Sequence, residues 1–401
     1  MQGITCREMR PQDVSSWLAV HSTHFPPLTE EAGFRWAARE DVTAILALRG
    51  SEPVGAVPFH LRDFRVNPQA AVGAGFEHAV LVKESLRDQG IGSRMMDVAK
   101  EILLGRCDAM MVYRGAERSA GYRFYARNGH HDLAYLRPFV LDQPRLQPTT
   151  KAERSGRELL LEREGEFLAV FDSAYGRYGG FPSRRPGYYK DAFSSAYFDM
   201  IPHEFVLIRV EEQGALQGYA LISRELAHGR AQLLELATRG GDSTAAHAVL
   251  QEAVTLASEW GVGLRTFATD CSPYARTLLG LGFRPVPRSE SSMMIMGYVL
   301  DPASLASKVW QENEEAEGLE VEVWTPLREA VIHRPSGRAT GRVTLEMKED
   351  SLTRLLLSRL DLMAAVRQDL VTVVGGNDRE VDAISRALPL APWAYHHLDY
   401  I

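Results

Sequence analysis

The chain has 401 residues, of which 45% are hydrophobic and 24% charged, the balance of a folded globular protein that is too long for one hydrophobic core, so two or three domains are expected. A formal net charge of −7 and a pI near 6.0 argue against a nucleic-acid partner, which requires concentrated Lys and Arg, and favour a small molecule or a cationic acceptor. Met1–Arg7 lacks the basic start and apolar run of a signal peptide, and no apolar stretch approaches the ~20 residues of a membrane span, so a cytoplasmic protein with no membrane partner is expected.

In chain order, Ile4–Met9 alternates like a strand, and Pro11-Gln12-Asp13 opens an amphipathic helix carrying Val14, Trp17, Leu18 and His21. Strands at 43–48 and 54–61 flank Arg49-Gly50-Ser51-Glu52-Pro53, whose residues suit a hairpin turn. A strand over 76–82 leads into Arg87-Asp88-Gln89-Gly90-Ile91-Gly92. After it, Met95, Met96, Ala99, Ile102 and Leu103 mark the apolar stripe of a helix. The polar, proline-bearing stretch 142–150 reads as a linker.

Beyond the linker the order repeats: a helix at 163–178, strands at 204–210, 218–223 and 231–237, a helix at 245–260 and a strand at 264–268. The basic, aromatic run Pro182–Lys190 reads as a surface loop over a cleft. A third unit follows the acidic run 312–317, with a strand at 341–347, a helix at 351–359, a helix and turn near 371–377, and a helix at 381–387. The aromatic-rich end at 392–401 is expected to dock, because burial gains ~25 cal/mol per Å² of apolar area.

The glycine loop carries the first chemical signal. Between a strand and a helix, Gly90 and Gly92 let the backbone approach a bulky anion, and the exposed N–H groups and helix dipole favour its charge. Its Arg-x-x-Gly-x-Gly spacing is neither the phosphate loop nor the dinucleotide fingerprint. Laying Gly129 on Gly282 superposes 124–129 on 277–282 and puts Leu278 opposite Tyr125. It also leaves Thr238-Arg239-Gly240-Gly241-Asp242-Ser243 opposite the loop. One copy keeps the chemical residues, and the other reads as scaffold.

Cys6, Cys107 and Cys271 stand apart, and the pairs His130-His131 and His396-His397 have no spaced partner, so neither a disulfide nor a metal is expected.

Strand 76–82, the loop, the helix after it and Phe124-Tyr125-Ala126-Arg127-Asn128-Gly129 together resemble the Gcn5-related N-acetyltransferase (GNAT) superfamily. The order of an intact unit, a degenerate unit and a third unit resembles the enhanced-intracellular-survival (Eis) family of aminoglycoside acetyltransferases. Met294–Pro302 and Leu345-Glu346-Met347, leading to the helix with Leu352, support it. This resemblance implies an α/β (α+β) fold class: tandem GNAT folds with mixed, mostly antiparallel central sheets plus a smaller sterol-carrier-protein-like domain, at 1–143, 152–300 and 301–401.

It further implies an acetyl-CoA-dependent N-acetyltransferase without a metal, acting on a small-molecule amine and assembled as a homo-oligomer. The pantetheine arm would pair with backbone around Val80 and Val82. The pyrophosphate would lie on the loop formed by Arg87, Asp88, Gln89, Gly90, Ile91, Gly92 and Ser93.

Acyl transfer to an amine needs an uncharged nucleophile, whose ammonium has pKa ~10.4, and a proton for a departing thiolate of pKa ~8.5. By the resemblance Tyr125 is the acid. Three groups compete as base. One is the terminal carboxylate of Ile401, which the Eis-like resemblance implies although this chain ends in Ile rather than Phe. The others are Glu77 and His78, and alternation sets Glu77 on the face opposite Phe76, His78, Val80 and Val82. Asp63, Glu77 and Asp399 are candidates for an acidic lining that attracts a cationic acceptor. The alternative to an enzyme is an acyl-CoA or hydrophobic-ligand binding protein, against which the intact loop and Tyr125 speak.

Overall fold

The computed structural model describes residues 3–24, 28–115, 120–145, 151–193, 205–227, 229–269, 271–287 and 293–400. They form two compact units: Met1–Arg114, Arg118–Ala134 and Met294–Pro392 in the first, and Gly115–Glu117, Tyr135–Met293 and Trp393–Ile401 in the second. Each has a mixed sheet with helices, the α/β class expected.

In the first unit, strands β1 (Ile4–Glu8), β2 (Val42–Arg49), β3 (Glu52–Arg65) and β4 (Ala71–Glu77) pair antiparallel in that order. Then β4 runs parallel to β6 (Ala109–Gly115), and the strand Met293–Val299 lies on the far side of β6. Helix α1 (Val14–His21) is followed by α2 (Glu30–Ala37), which Thr29 caps by accepting from the Ala32 N–H. Helix α3 (Ile91–Leu103) presents Ile91, Met95, Met96, Ala99 and Leu103 to Ile45, Val57 and Phe59, an i, i+4 stripe against alternate strand residues.

The expected strand over 76–82 is broken. Its continuation, β5 (Leu81–Val82), still pairs with β3, but Phe59 faces Glu77 whereas Gly55 faces Val82, so one extra residue is taken up between them. This is a β-bulge. Beyond it β5 pairs with β3 and with no other strand among the described residues, while β4 pairs with β6 only from Ala74 to Glu77.

Residues 301–392 add a second sheet, with Glu329–His333, Leu319–Trp324, Gly341–Met347 and Val371–Val374 as neighbours in that order. The helix expected near 371 is therefore a strand; three valines and a threonine favour the pleated surface. Buried Asp108 ties this block to the first sheet, accepting from the Gly73 N–H (2.7 Å), Ser304 Oγ (2.7 Å) and Lys308 Nζ (2.7 Å).

In the second unit, residues 137–141 of strand β7 (His131–Leu141) pair with Gly263–Ala268, and Arg230–Thr238, Ala215–Ala227 and Phe205–Glu212 follow in order. The helices Ser243–Glu259 and Ala275–Gly280 complete the repeat. The docked end is present for the described residues: the Ala394 N–H donates to the Gly179 carbonyl (2.8 Å), and the His396 ring lies among Phe171, Tyr175 and Phe181.

The run at 182–190 is a surface loop only in part: Arg185, Pro186 and Lys190 are exposed, but the Arg184 side chain turns inward. Arg184 is fully buried, bridging Glu235 (2.6 Å) and Asp399, and lies 3.8 Å from the Tyr188 ring centre. Tyr188 donates to Asp399, and Tyr189 and Tyr219 donate to Glu235 (2.6 and 2.7 Å). A cation between two buried carboxylates explains why a charged segment folds inward. Arg184→Met strands both carboxylates without their cation and is expected to cost about 3–5 kcal/mol, read from urea denaturation. A loss below about 1 kcal/mol would show that water reaches the cluster.

Candidate active site

The glycine loop leaves a helix N-terminus open. Asp88 (φ 60°) and Gly90 (φ 76°) are both left-handed, in the loop just before α3 begins. Gly90 is the N-cap and has no side chain to satisfy the first-turn amides, and that turn contains no acid. Residues 87–90 are exposed. Gly92 is required by packing, since a Cβ there would lie 2.9 Å from Phe124 and 3.4 Å from Val80. Arg87 meets the His24 imidazole at 2.8 Å.

The Lys83 N–H donates to the Val54 carbonyl of β3 (2.9 Å). By alternation, the N–H and C=O of Val82 face the other edge of β5, where no strand is paired. The open edge and the open helix end are thus neighbours in the chain.

Tyr125 sits on α4 (Ala120–Arg127), whose end is a Schellman motif: the His130 N–H donates to the Tyr125 carbonyl (3.0 Å) and the Gly129 N–H to that of Ala126 (3.2 Å), with Gly129 at φ +86°. That closure fixes the turn carrying Tyr125. Its buried hydroxyl donates a short hydrogen bond to Oε1 of Glu77, the last residue of β4. Burial pushes the Glu77 carboxyl up to about 8, against the opposing pull of the Tyr125 hydroxyl and Arg114. Among the described residues, its Oε2 has no hydrogen-bond partner. The arrangement is a proton acceptor poised near neutral pH, hydrogen-bonded to a phenol.

Glu77 is therefore not turned away from the site, as unbroken alternation predicts; it is the residue on the Tyr125 side of β4. His78 lies with His60, ring centres 6.0 Å apart, and burial with the charge of neighbouring His60 and Arg62 holds it well below the usual imidazole value. Asp399 is committed to Arg184 and Tyr188 in the second unit. Ile401 lies outside the described residues. Among those residues, no group of three or more His, Cys, Asp or Glu is placed to hold a metal, and no helix is long and apolar enough to cross a membrane.

The second unit carries the same frame with different residues. Gly218 faces Thr238 and Ile222 faces Leu233 across the same one-residue bulge, matching Gly55 with Val82 and Phe59 with Glu77. Leu233 therefore stands where Glu77 stands. The Phe283 N–H donates to the Leu278 carbonyl (3.1 Å) and the Gly282 N–H to that of Leu279 (3.0 Å), the same helix closure with Leu278 in the place of Tyr125. Here the helix N-terminus is filled: the Asp242 carboxylate accepts from the Thr244 and Ala245 N–H groups (2.9 and 3.3 Å). Leu233 escaped the sequence reading because the bulge that aligns it is visible only in the pairing register.

Residues 8–130 match the acetyltransferase (GNAT) family. Among curated proteins no sequence match was found. The solved structures that align over nearly the whole chain include the following three. A GCN5-related N-acetyltransferase from Kribbella flavida has 16% identity and a TM-score of 0.65, covering 97% of this chain and 98% of that one. A conserved protein of unknown function from Enterococcus faecalis V583 has 12% identity and a TM-score of 0.70, covering 98% of each. Eis1 from Mycobacterium abscessus has 12% identity and a TM-score of 0.57, covering 98% and 99%. These are likenesses of fold.

The Glu77 carboxyl is expected to titrate with a midpoint near 8 in the free protein, its protonated C=O infrared band disappearing as pH rises. Glu77→Gln assigns the band. Tyr125→Phe removes a donor that favours the ionised form, so the midpoint should move higher. A midpoint below 6 would contradict the burial described.

Proposed function

Taking the N-acetyltransferase domain at residues 8–130 as the premise, we propose that this protein transfers an acetyl group from acetyl-CoA to a primary amine, by direct attack within a ternary complex. The observation that carries this reading is the buried hydrogen bond from Tyr125 to Glu77, at the end of the strand that leads to an uncapped helix N-terminus. Acyl donor binding is assigned to Arg87, Asp88, Gln89, Gly90, Ile91, Gly92 and Ser93 for the pyrophosphate, and to the backbone of Val80 and Val82 for the pantetheine arm. The left-handed Asp88 and Gly90 and the open edge of β5 support that assignment.

The thioester supplies an activated carbonyl. Glu77 accepts a proton from the incoming amine, and Tyr125 delivers its phenolic proton to the departing sulfur. Glu77, now protonated, returns that proton to Tyr125 along the hydrogen bond that already joins them. One C–N bond forms and one C–S bond breaks, and the amine proton ends on the thiol. A carboxyl near 8 accepts from an amine far better than an α-carboxylate at its ordinary ~3.5, which favours Glu77 over the Ile401 carboxylate as base.

The acceptor is assigned as a cationic small molecule, aminoglycoside-like or polyamine-like, or a lysine side chain; a net charge of −7 supports it by long-range attraction. The separate sheet in residues 301–392 and the full-length likeness of fold to Eis1 support reading the chain as Eis-like with a sterol-carrier-like third part.

Coenzyme A release from acetyl-CoA across amines, aminoglycosides and lysine peptides tests this. At least one acceptor class should turn over, and Tyr125→Phe and Glu77→Gln should each lower kcat roughly 10²- to 10⁴-fold. Turnover with none of them would contradict the reading.

A further inference from the structure

Arg114 stands two residues beyond Val112 on β6, and Val112 pairs with Glu77, so strand alternation places Arg114 on the face that Glu77 occupies. Its guanidinium lies 5.3 Å from the Tyr125 ring centre. The first turn of α4 makes room for it: a Cβ on Gly121 would fall 2.1 Å from Nη1 of Arg114. A glycine at that position is what lets the cation lie over the helix and reach Tyr125.

Among the described residues, the surrounding elements contribute little competing charge. From β3, Phe59 faces Glu77, and it is apolar. The His130 ring faces the Tyr125 ring at 5.5 Å, and burial drives its pKa down to about 3, leaving it neutral. Lys100 of α3 points at the Tyr298 ring, 4.6 Å away, and Arg328 lies over the same ring at 5.2 Å. Arg114 is thus the cation that β6 directs at the Glu77–Tyr125 pair.

The second unit serves as an internal control. Its parallel register runs from Arg230 with Gly263 to Gln232 with Arg265. Continued one step, it sets Leu233 beside Thr266, which puts Ala268 two residues on, where Arg114 stands. Glu77, Arg114 and Tyr125 are replaced together, by Leu233, Ala268 and Leu278.

We propose that Arg114 is a positioning residue of the acyl-transfer site, whose guanidinium supports negative charge on the Glu77–Tyr125 pair and sets the pH at which that pair works. This rests on the acyl-transfer reading given above. While Tyr125 has given its proton to sulfur and before Glu77 returns one, the phenolate is the charge that Arg114 steadies. Before the reaction it favours the ionised form of Glu77, the form able to take a proton from the amine.

The pH profile of kcat/KM, with an acceptor that the wild type acetylates, tests the proposal. Arg114→Met should move the rising limb upward by about one pH unit and lower the rate at pH 7 about tenfold, with KM for acetyl-CoA within twofold. Arg114→Lys should restore most of the limb. Gly121→Ala keeps the charge but displaces it, and should shift the limb in the same direction; it decides the matter should Arg114→Met fail to fold. An unmoved limb in the variants, while Tyr125→Phe and Glu77→Gln lower turnover as expected above, overturns the role of Arg114 alone. Wild-type rates in Tyr125→Phe and Glu77→Gln overturn their roles as acid and base, whereas turnover with no acceptor overturns the acyl-transfer reading itself.

Discussion

A carboxyl group buried at the end of a strand, held by one phenol, is the constraint around which the first unit is arranged. Glu77 could not remain there ionised without compensation, because burial opposes its charge; Tyr125 and Arg114 partly offset that cost and leave the group near 8. Each partner depends on a local backbone device. The Schellman closure at Gly129 fixes the turn bearing Tyr125, Gly121 admits Arg114, and the bulge after Glu77 parts β5 from β6. Polar chemistry, an open sheet edge and an uncapped helix end thereby come together within a short stretch of chain.

The second unit carries the same frame with its polar groups exchanged. The bulge and the helix closure persist at the matching positions, so the backbone plan is intact. Leucines replace Tyr125 and Glu77, the proposed acid and base, and the Asp242 carboxylate satisfies amides that no side chain caps in the first unit. A carboxylate already seated on a helix N-terminus both fills and repels an anion site. The second unit instead holds the end of the chain, with Arg184 buried between Glu235 and Asp399.

Much of this was legible in the sequence. The glycine loop, the α3 stripe and the match of Tyr125 with Leu278 follow from spacing, and the observed helix closures at Gly129 and Gly282 coincide residue for residue. Helix α2 went unread although Thr29-Glu30-Glu31 is a capping signal, since Gly33 and the short apolar stripe weaken its periodicity. Glu77 was set on the wrong face because alternation assumes an unbroken strand, and a bulge leaves no mark in composition. The sequence places Arg184 in a surface loop over a cleft for a similar reason. Its partners, Glu235 and Asp399, are far away in sequence, and only the fold brings opposite charges to it.

The proposed acyl-CoA site is one per chain, in the first unit. Calorimetric titration with coenzyme A measures it most directly. The account predicts a stoichiometry of one per chain, abolished by Gly90→Asp, which introduces a carboxylate at the helix end as Asp242 does in the second unit. Two sites per chain, or binding that survives Gly90→Asp unchanged, would contradict it.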